Sequence, residues 1–124
     1  MIESSYIDTI SGELLYFKTG YRNYQEYFKD EYYNIHHRVD GPAITDADGN
    51  QWWLQNGIYH RLDGPAAEFV EGQKEWFINN QLHREDGPAI ITADGDEFWY
   101  INGSQINCNS QKEFEKYLKL KGFW

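Results

Sequence analysis

A seven-residue motif, identical at six positions, recurs three times at one spacing. His37-Arg38-Val39-Asp40-Gly41-Pro42-Ala43 is followed by His60-Arg61-Leu62-Asp63-Gly64-Pro65-Ala66 and by His83-Arg84-Glu85-Asp86-Gly87-Pro88-Ala89. Both steps, 60 − 37 and 83 − 60, are 23 residues. Gly49, Gly72 and Gly95 keep the step, as do Trp53, Trp76 and Trp99, then Asn56, Asn79 and Asn102. A fixed period of this length points to one supersecondary unit repeated, each copy burying its apolar side on its neighbours.

Each unit carries two strand signals and two turn signals. In the third unit, residues 88–93 are the first expected strand and Asp94-Gly95 the turn. Residues 97–101 are the second strand, closed by Asn102-Gly103. Asp-Gly and Asn-Gly both suit a type I′ turn, with positive φ at both central residues. Glu71-Gly72 and Asn79-Asn80 are weaker versions of the same signals. The Asp-Gly-Pro corner then starts the next unit, with proline at the first strand residue because it has no N–H for a ladder. Residues 37–107 thus hold three regular repeats and six expected strands.

Alternation along the second strand separates two faces. Trp53, Trp76 and Trp99 lie on one with Gln55, Ile78 and Ile101, and read as a stacked core column opposite the small Ala43, Ala66 and Ala89. The other face changes from copy to copy. Its Trp52, Leu54, Phe77, Phe98 and Tyr100 form the candidate partner-binding surface, because aromatic side chains concentrate binding energy. The structural alternative is a second apolar layer, covered by the N-terminal segment or by another copy in a homodimer.

The flanks differ from the middle. Tyr16-Phe17 and Tyr27-Phe28, with Gly20 between them, mark residues 14–36 as a degenerate repeat, and Met1 to Ile10 as an opening strand or loose end. Residues 108–124 read as a helical cap. Ser110-Gln-Lys-Glu113 is a capping box, Phe114, Tyr117 and Leu118 follow at helical spacing, and Gly122 ends a helix of residues 110–121. The expectation is one domain, residues 1–124, mainly β: a single-layer antiparallel β-hairpin repeat stack of 23-residue units with a C-terminal capping α-helix.

Composition narrows the function. The net charge is −9, and residues 37–107 carry twelve acids against four bases. Binding a phosphate backbone or an anionic membrane needs clustered cations, so neither nucleic acid nor membrane is an expected partner. No apolar run approaches the ~20 residues of a membrane span, and the first ten residues lack the pattern of a signal peptide. A cytoplasmic location is expected. Cys108 is the one cysteine and reads as an ordinary, partly buried thiol.

The polar residues of the motif invite chemical readings. His37, His60 and His83 resemble ligands or bases, yet catalytic groups are specialised and seldom come as identical copies. Two strands per unit at ~4.8 Å spacing would hold equivalent histidines ~10 Å apart, too far to share one zinc ion. Each histidine is therefore expected to order its own turn. Arg38, Arg61 and Arg84 with Asp40, Asp63 and Asp86 suggest a ladder of ion pairs between successive corners rather than an anion-binding stripe. Asp46-Ala-Asp48-Gly49-Asn50 is a hairpin turn, because its glycine comes one step early for a calcium loop. No metal, cofactor or catalytic set is expected.

A unit of this length with aromatic strands and glycine turns resembles the MORN repeat family. Residues 14–36 are similar to the MORN variant of bacterial YwqK-type antitoxins. The copies from His37 to Gly103 resemble a related group common in phages, large viruses and bacteria, marked by His-Arg-x-Asp-Gly-Pro-Ala and Trp-Tyr-x-Asn-Gly, as at His83–Ala89 and Trp99–Gly103. The resemblance implies the hairpin fold and names no activity. His-Arg-x-Asp-Gly replaces the usual His-Gly-x-Gly, so MORN lipid-binding roles do not transfer. Two functions follow as expectations: a non-catalytic protein-interaction module, or an acidic decoy of the phage anti-defence type that occupies the basic groove of a nucleic-acid enzyme.

Overall fold

The computed structural model describes residues 3–7, 14–20 and 33–122. It is mainly β, with antiparallel strands and a C-terminal helix. The strands are β1 (Glu3–Ile7), β2 (Leu14–Gly20), β3 (Tyr33–His36), β4 (Ile44–Thr45), β5 (Gln51–Trp52), β6 (Leu54–Gln55), β7 (Ile58–Tyr59) and β8 (Ala67–Glu68). Then come β9 (Lys74–Glu75), β10 (Phe77–Ile78), β11 (Gln81–Leu82), β12 (Ile90–Ile91), β13 (Glu97–Ile101), β14 (Ser104–Ile106) and the helix α1 (Gln111–Leu120). The main sheet runs β1-β2-β4-β5-β8-β9-β12-β13-β14, with β3 also on β2, while β6-β7 and β10-β11 form separate pairs. Tyr27-Phe28 lies outside the described residues, as do all of residues 21–32 of the expected degenerate repeat.

Six strands were expected across 37–107, and eleven short ones, β4 to β14, are present. Hydrogen bonds explain the difference. Trp53 N–H donates to Ala66 O at 2.7 Å, and Trp53 O accepts from His60 N–H at 3.1 Å. On the other side of the strand, Trp52 O accepts from Ala43 N–H at 2.8 Å and Leu54 O from Arg38 N–H at 3.0 Å. Residues 51–55 are thus one line of chain flanked on each side by an interrupted strand. The interruption is the His-Arg-x-Asp-Gly-Pro corner. It was expected to start the next unit; it bulges instead out of a strand whose two halves, β7 and β8, stay beside the same neighbours. Trp76 repeats the arrangement, donating to Ala89 O at 2.8 Å and accepting from His83 N–H at 3.0 Å. The first corner interrupts β3 and β4, which both pair with β2. A bulge of this kind inserts extra residues without ending the pairing.

The two turn types also separate. Asn56 and Gly57 have φ of 55° and 76°, Asn79 and Asn80 of 48° and 67°, Asn102 and Gly103 of 48° and 82°. Both central residues are left-handed, as a type I′ turn requires. At Asp48-Gly49, Glu71-Gly72 and Asp94-Gly95 only the glycine has positive φ. Gly49 N–H donates to Asp46 O at 3.1 Å, and Asp46 N–H to Asn50 O at 3.0 Å. This is a longer loop in which glycine takes the single left-handed position after an ordinary turn. The type I′ reading of those three turns is corrected accordingly.

The helix begins at its N-cap Ser110, whose Oγ accepts from Glu113 N–H at 3.2 Å. The Glu113 carboxylate reaches back to Asn109 N–H at 2.8 Å. Gly122, at φ 81°, follows the last turn. Phe114 and Leu118 are fully buried and form the largest described core cluster with Trp99, Ile101 and Ile106.

Candidate functional site

Each corner is held by its own arginine. Arg38, Arg61 and Arg84 donate through Nε to Asp40, Asp63 and Asp86 at 3.0, 3.0 and 2.9 Å. Their Nη1 atoms donate to the carbonyls of Pro42, Pro65 and Pro88 at 3.3, 3.0 and 3.1 Å. The pairs are two residues apart in one corner, so the expected ladder between successive corners is not what these aspartates make. With Nε on the aspartate and Nη1 on the proline carbonyl, the guanidinium lies over the glycine between those two residues. A Cβ at Gly41, Gly64 or Gly87 would come within 2.8, 2.8 or 2.7 Å of that guanidinium carbon. Glycine gives the guanidinium room for this close approach, and a larger residue would push the arginine tip aside.

The arginine also reaches the preceding unit. The Arg61 guanidinium carbon lies 3.9 Å above the Trp53 ring centre, and that of Arg84 lies 4.0 Å above Trp76. Cation–π stacking on indole is the strongest of its kind. It ties each of these two corners to the tryptophan of the preceding sequence copy, a link the aspartates were expected to make.

The histidines hold a turn other than their own. His37, His60 and His83 accept through Nδ1 from the backbone N–H of Asn56, Asn79 and Asn102 at 2.9, 3.1 and 2.9 Å. The acceptor sits 19 residues before the donor. Each ring thus anchors the type I′ turn of the next hairpin, whose first N–H lies outside the hairpin's own ladder. Sequence reasoning missed this because the partner is brought close only by the fold. The period did hint at it: histidine and asparagine keep one separation in all three copies.

The tryptophan column is not uniformly buried. Trp99 is 4% exposed, while Trp53 and Trp76 are half-buried. Ala43, Ala66 and Ala89 are fully buried beside them, as the small residues opposite large rings should be. Trp53 and Trp76 floor two grooves between successive corners, of about 620 and 720 Å³. Across their rims, Asp40, Asp63 and Asp86 have side chains 86, 88 and 85% exposed.

On the opposite face, strand register puts Leu54 beside Tyr59, Phe77 beside Leu82 and Tyr100 beside Gln105. A second row places Trp52 between Ile44 and Ala67, and Phe98 beside Ile90. Tyr59 and Phe77 stack with ring centres 5.3 Å apart, and Trp52 meets Phe69 edge-on at 5.7 Å. Of the five candidate contact residues, Trp52, Phe77 and Tyr100 are half-buried and Phe98 is exposed. Leu54 is only 6% exposed, so it leaves the candidate surface. Periodicity alone does not reveal that.

Two further groups have assigned work. Asp46 Oδ1 accepts from Asp48 N–H and Asn50 N–H at 3.0 and 2.9 Å, and Oδ2 from Asn50 Nδ2 at 2.9 Å. The Asn50 side-chain amide leads in holding this carboxyl below its ordinary pKa. The carboxylate is thus occupied in closing the turn. Burial, and then the charge of Glu113, push the Cys108 thiol above its ordinary pKa, the opposite of an activated nucleophile. Among the described residues, His36 Nδ1 is buried without a hydrogen-bond partner.

The chain matches no family model, no curated protein and no solved structure, so nothing in these comparisons identifies a MORN-like family. No described helix is long and apolar enough to cross a membrane.

Proposed function

We propose that this chain is a non-catalytic, cytosolic protein-interaction module built as a stack of 23-residue β-hairpin units. The observation that carries this reading is the row of Tyr59, Phe77, Leu82 and Tyr100. All four are half-buried; Tyr59 and Phe77 meet with ring centres 5.3 Å apart, Leu82 lies beside Phe77, and Tyr100 holds the position of Phe77 one 23-residue step later. Large, stiff rings with partial exposure bind with little loss of rotamer freedom. The repeated polar groups support the non-catalytic part. Histidine Nδ1 holds a turn and arginine holds its corner in every copy, which commits both to the scaffold. The kinship of these units with MORN repeats belongs to the same proposal and rests on the motif.

A second reading, the acidic decoy, is favoured by one observation. Asp40, Asp63 and Asp86 project at equal sequence intervals with side chains at least 85% exposed. Affinity capture from the native host at low and high salt separates the two. Partner binding through the aromatic face tolerates salt and weakens by more than about 2 kcal/mol when Phe77 and Tyr100 are both replaced by Ser. A decoy releases a basic enzyme at high salt and ignores that double substitution. The double variant must keep its melting transition for either result to count.

A further inference from the structure

The turns at Asn79-Asn80 and Asn102-Gly103 are each tied to the preceding copy of the motif by two neighbouring bonds. Asn80 N–H donates to Tyr59 O and Gly103 N–H to Leu82 O, both at 2.8 Å. One residue earlier, Asn79 N–H donates to His60 Nδ1 at 3.1 Å and Asn102 N–H to His83 Nδ1 at 2.9 Å. The two bonds differ in kind. A backbone carbonyl accepts at any pH. An imidazole nitrogen accepts only while the ring is neutral, which here places the ring proton on Nε2. A second proton fills the Nδ1 lone pair and sets donor against donor. Turning the ring over does not restore the bond, because an ionised imidazole has no acceptor nitrogen left.

The surroundings supply no substitute acceptor. His60 shares a groove with the charged groups of two corners, Arg38, Asp40, Arg61 and Asp63. His83 shares one with Arg61, Asp63, Arg84, Glu85 and Asp86. The arginines are engaged by the aspartates and proline carbonyls of their own corners. Glu85 Oε2 stands 3.8 Å from His83 Nε2, and the matching residue two places after His60 is the uncharged Leu62. Glu85 therefore faces the far nitrogen of the ring and leaves the Asn102 amide without a partner when Nδ1 is filled. Both rings are half-buried. A charged ring that has lost its bond gains hydration by swinging outward.

We propose that His60 and His83 are acid-sensitive latches: a proton taken up at Nδ1 releases the first amide of the turn ahead and loosens the tips of the β10–β11 and β13–β14 hairpins. The tie is present while the ring is neutral and is lost as pH falls through the range in which histidine ionises. The carbonyl bonds of Asn80 and Gly103 remain, so the tips loosen without unfolding. The same hairpins carry Phe77, Leu82 and Tyr100, and acid therefore slackens the aromatic row. That last step rests on the reading of the row as a contact surface; the latch does not.

Two-dimensional NMR of the intact chain, from about pH 7.5 to about pH 5, spans histidine ionisation and reads the latch directly. The amide protons of Asn79 and Asn102 should move upfield in step with the ring signals of His60 and His83, while those of Asn80 and Gly103 move much less. His60→Asn offers a side-chain oxygen as acceptor in place of Nδ1 and removes the titrating group. In that variant the Asn79 signal should stop following pH while Asn102 keeps its response, and His83→Asn should give the reverse. Amides of Asn79 and Asn102 that stay in place while the rings ionise overturn the proposal. So does an Asn79 response that persists in His60→Asn. Neither readout involves a partner, so failure of the contact-surface reading leaves this result standing.

Discussion

Trp76 and Trp99 occupy the same position in consecutive copies of the sequence motif and live in different surroundings. Trp76 has one guanidinium over its ring and an open groove beside it. Trp99 has a helix over it and is 4% exposed. The guanidinium is a thin, charged cover that keeps its hydration on one side; Phe114 and Leu118 are thick apolar covers that exclude water. Repetition of a residue therefore does not mean repetition of its burial. What lies on top is decided by the next stretch of chain, and the last unit has a different next stretch.

The comparison predicts a gradient of stability. Phe114→Ala removes a fully buried ring from the best-packed cluster and should destabilise the chain by about 3–5 kcal/mol in chemical or thermal unfolding. A loss no larger than that of Arg84→Ala would break the comparison, since it would make the two covers equivalent.

Arg84→Ala should cost about 1–2 kcal/mol, mainly through the lost indole stack and the hydrogen bond to Pro88 O. The exposed Asp86 partner contributes little of this. Arg84→Lys sharpens the point. Lysine keeps the charge but lacks the planar fork, so it should recover less than half of the loss.

His60→Leu should cost about 1 kcal/mol, because Asn79 N–H loses its acceptor at a site that water reaches. A much larger loss would place the histidine rather than the arginine as the main tie between units.

The smallest effect is a pH dependence at the first hairpin turn. The Asp46 carboxyl is held below its ordinary pKa, chiefly by Asn50. A carboxyl lowered in the folded state stabilises it above the unfolded value of about 3.9 and loses that contribution as pH falls through the lowered native one. Unfolding midpoints followed down from about pH 5 should fall further in the parent chain than in Asp46→Asn. Parallel curves would remove this turn from the acid response.

Much of this was legible from the residues. The step of 23 fixed which residues are equivalent, the Asn-containing turns declared their left-handed backbone, and Ser110 with Glu113 marked the start of the helix. These features are local, or follow from counting. The corner was read as the start of a new unit because its glycine and proline break a strand pattern, and only cross-strand hydrogen bonds show that β7 and β8 continue one line. The acidic partner of each arginine was near in sequence; its aromatic partner was not.

The sequence by itself determined the spacing of the repeated motif, the left-handed Asn-containing turns, the C-terminal helix and the mainly β character, because each depends on neighbours along the chain. Tertiary structure alone decided which turn each histidine holds, which indole each arginine covers and why Leu54 is buried while Phe98 is not. Those outcomes depend on strands side by side in space, where a shift of one residue would turn every side chain to the other face.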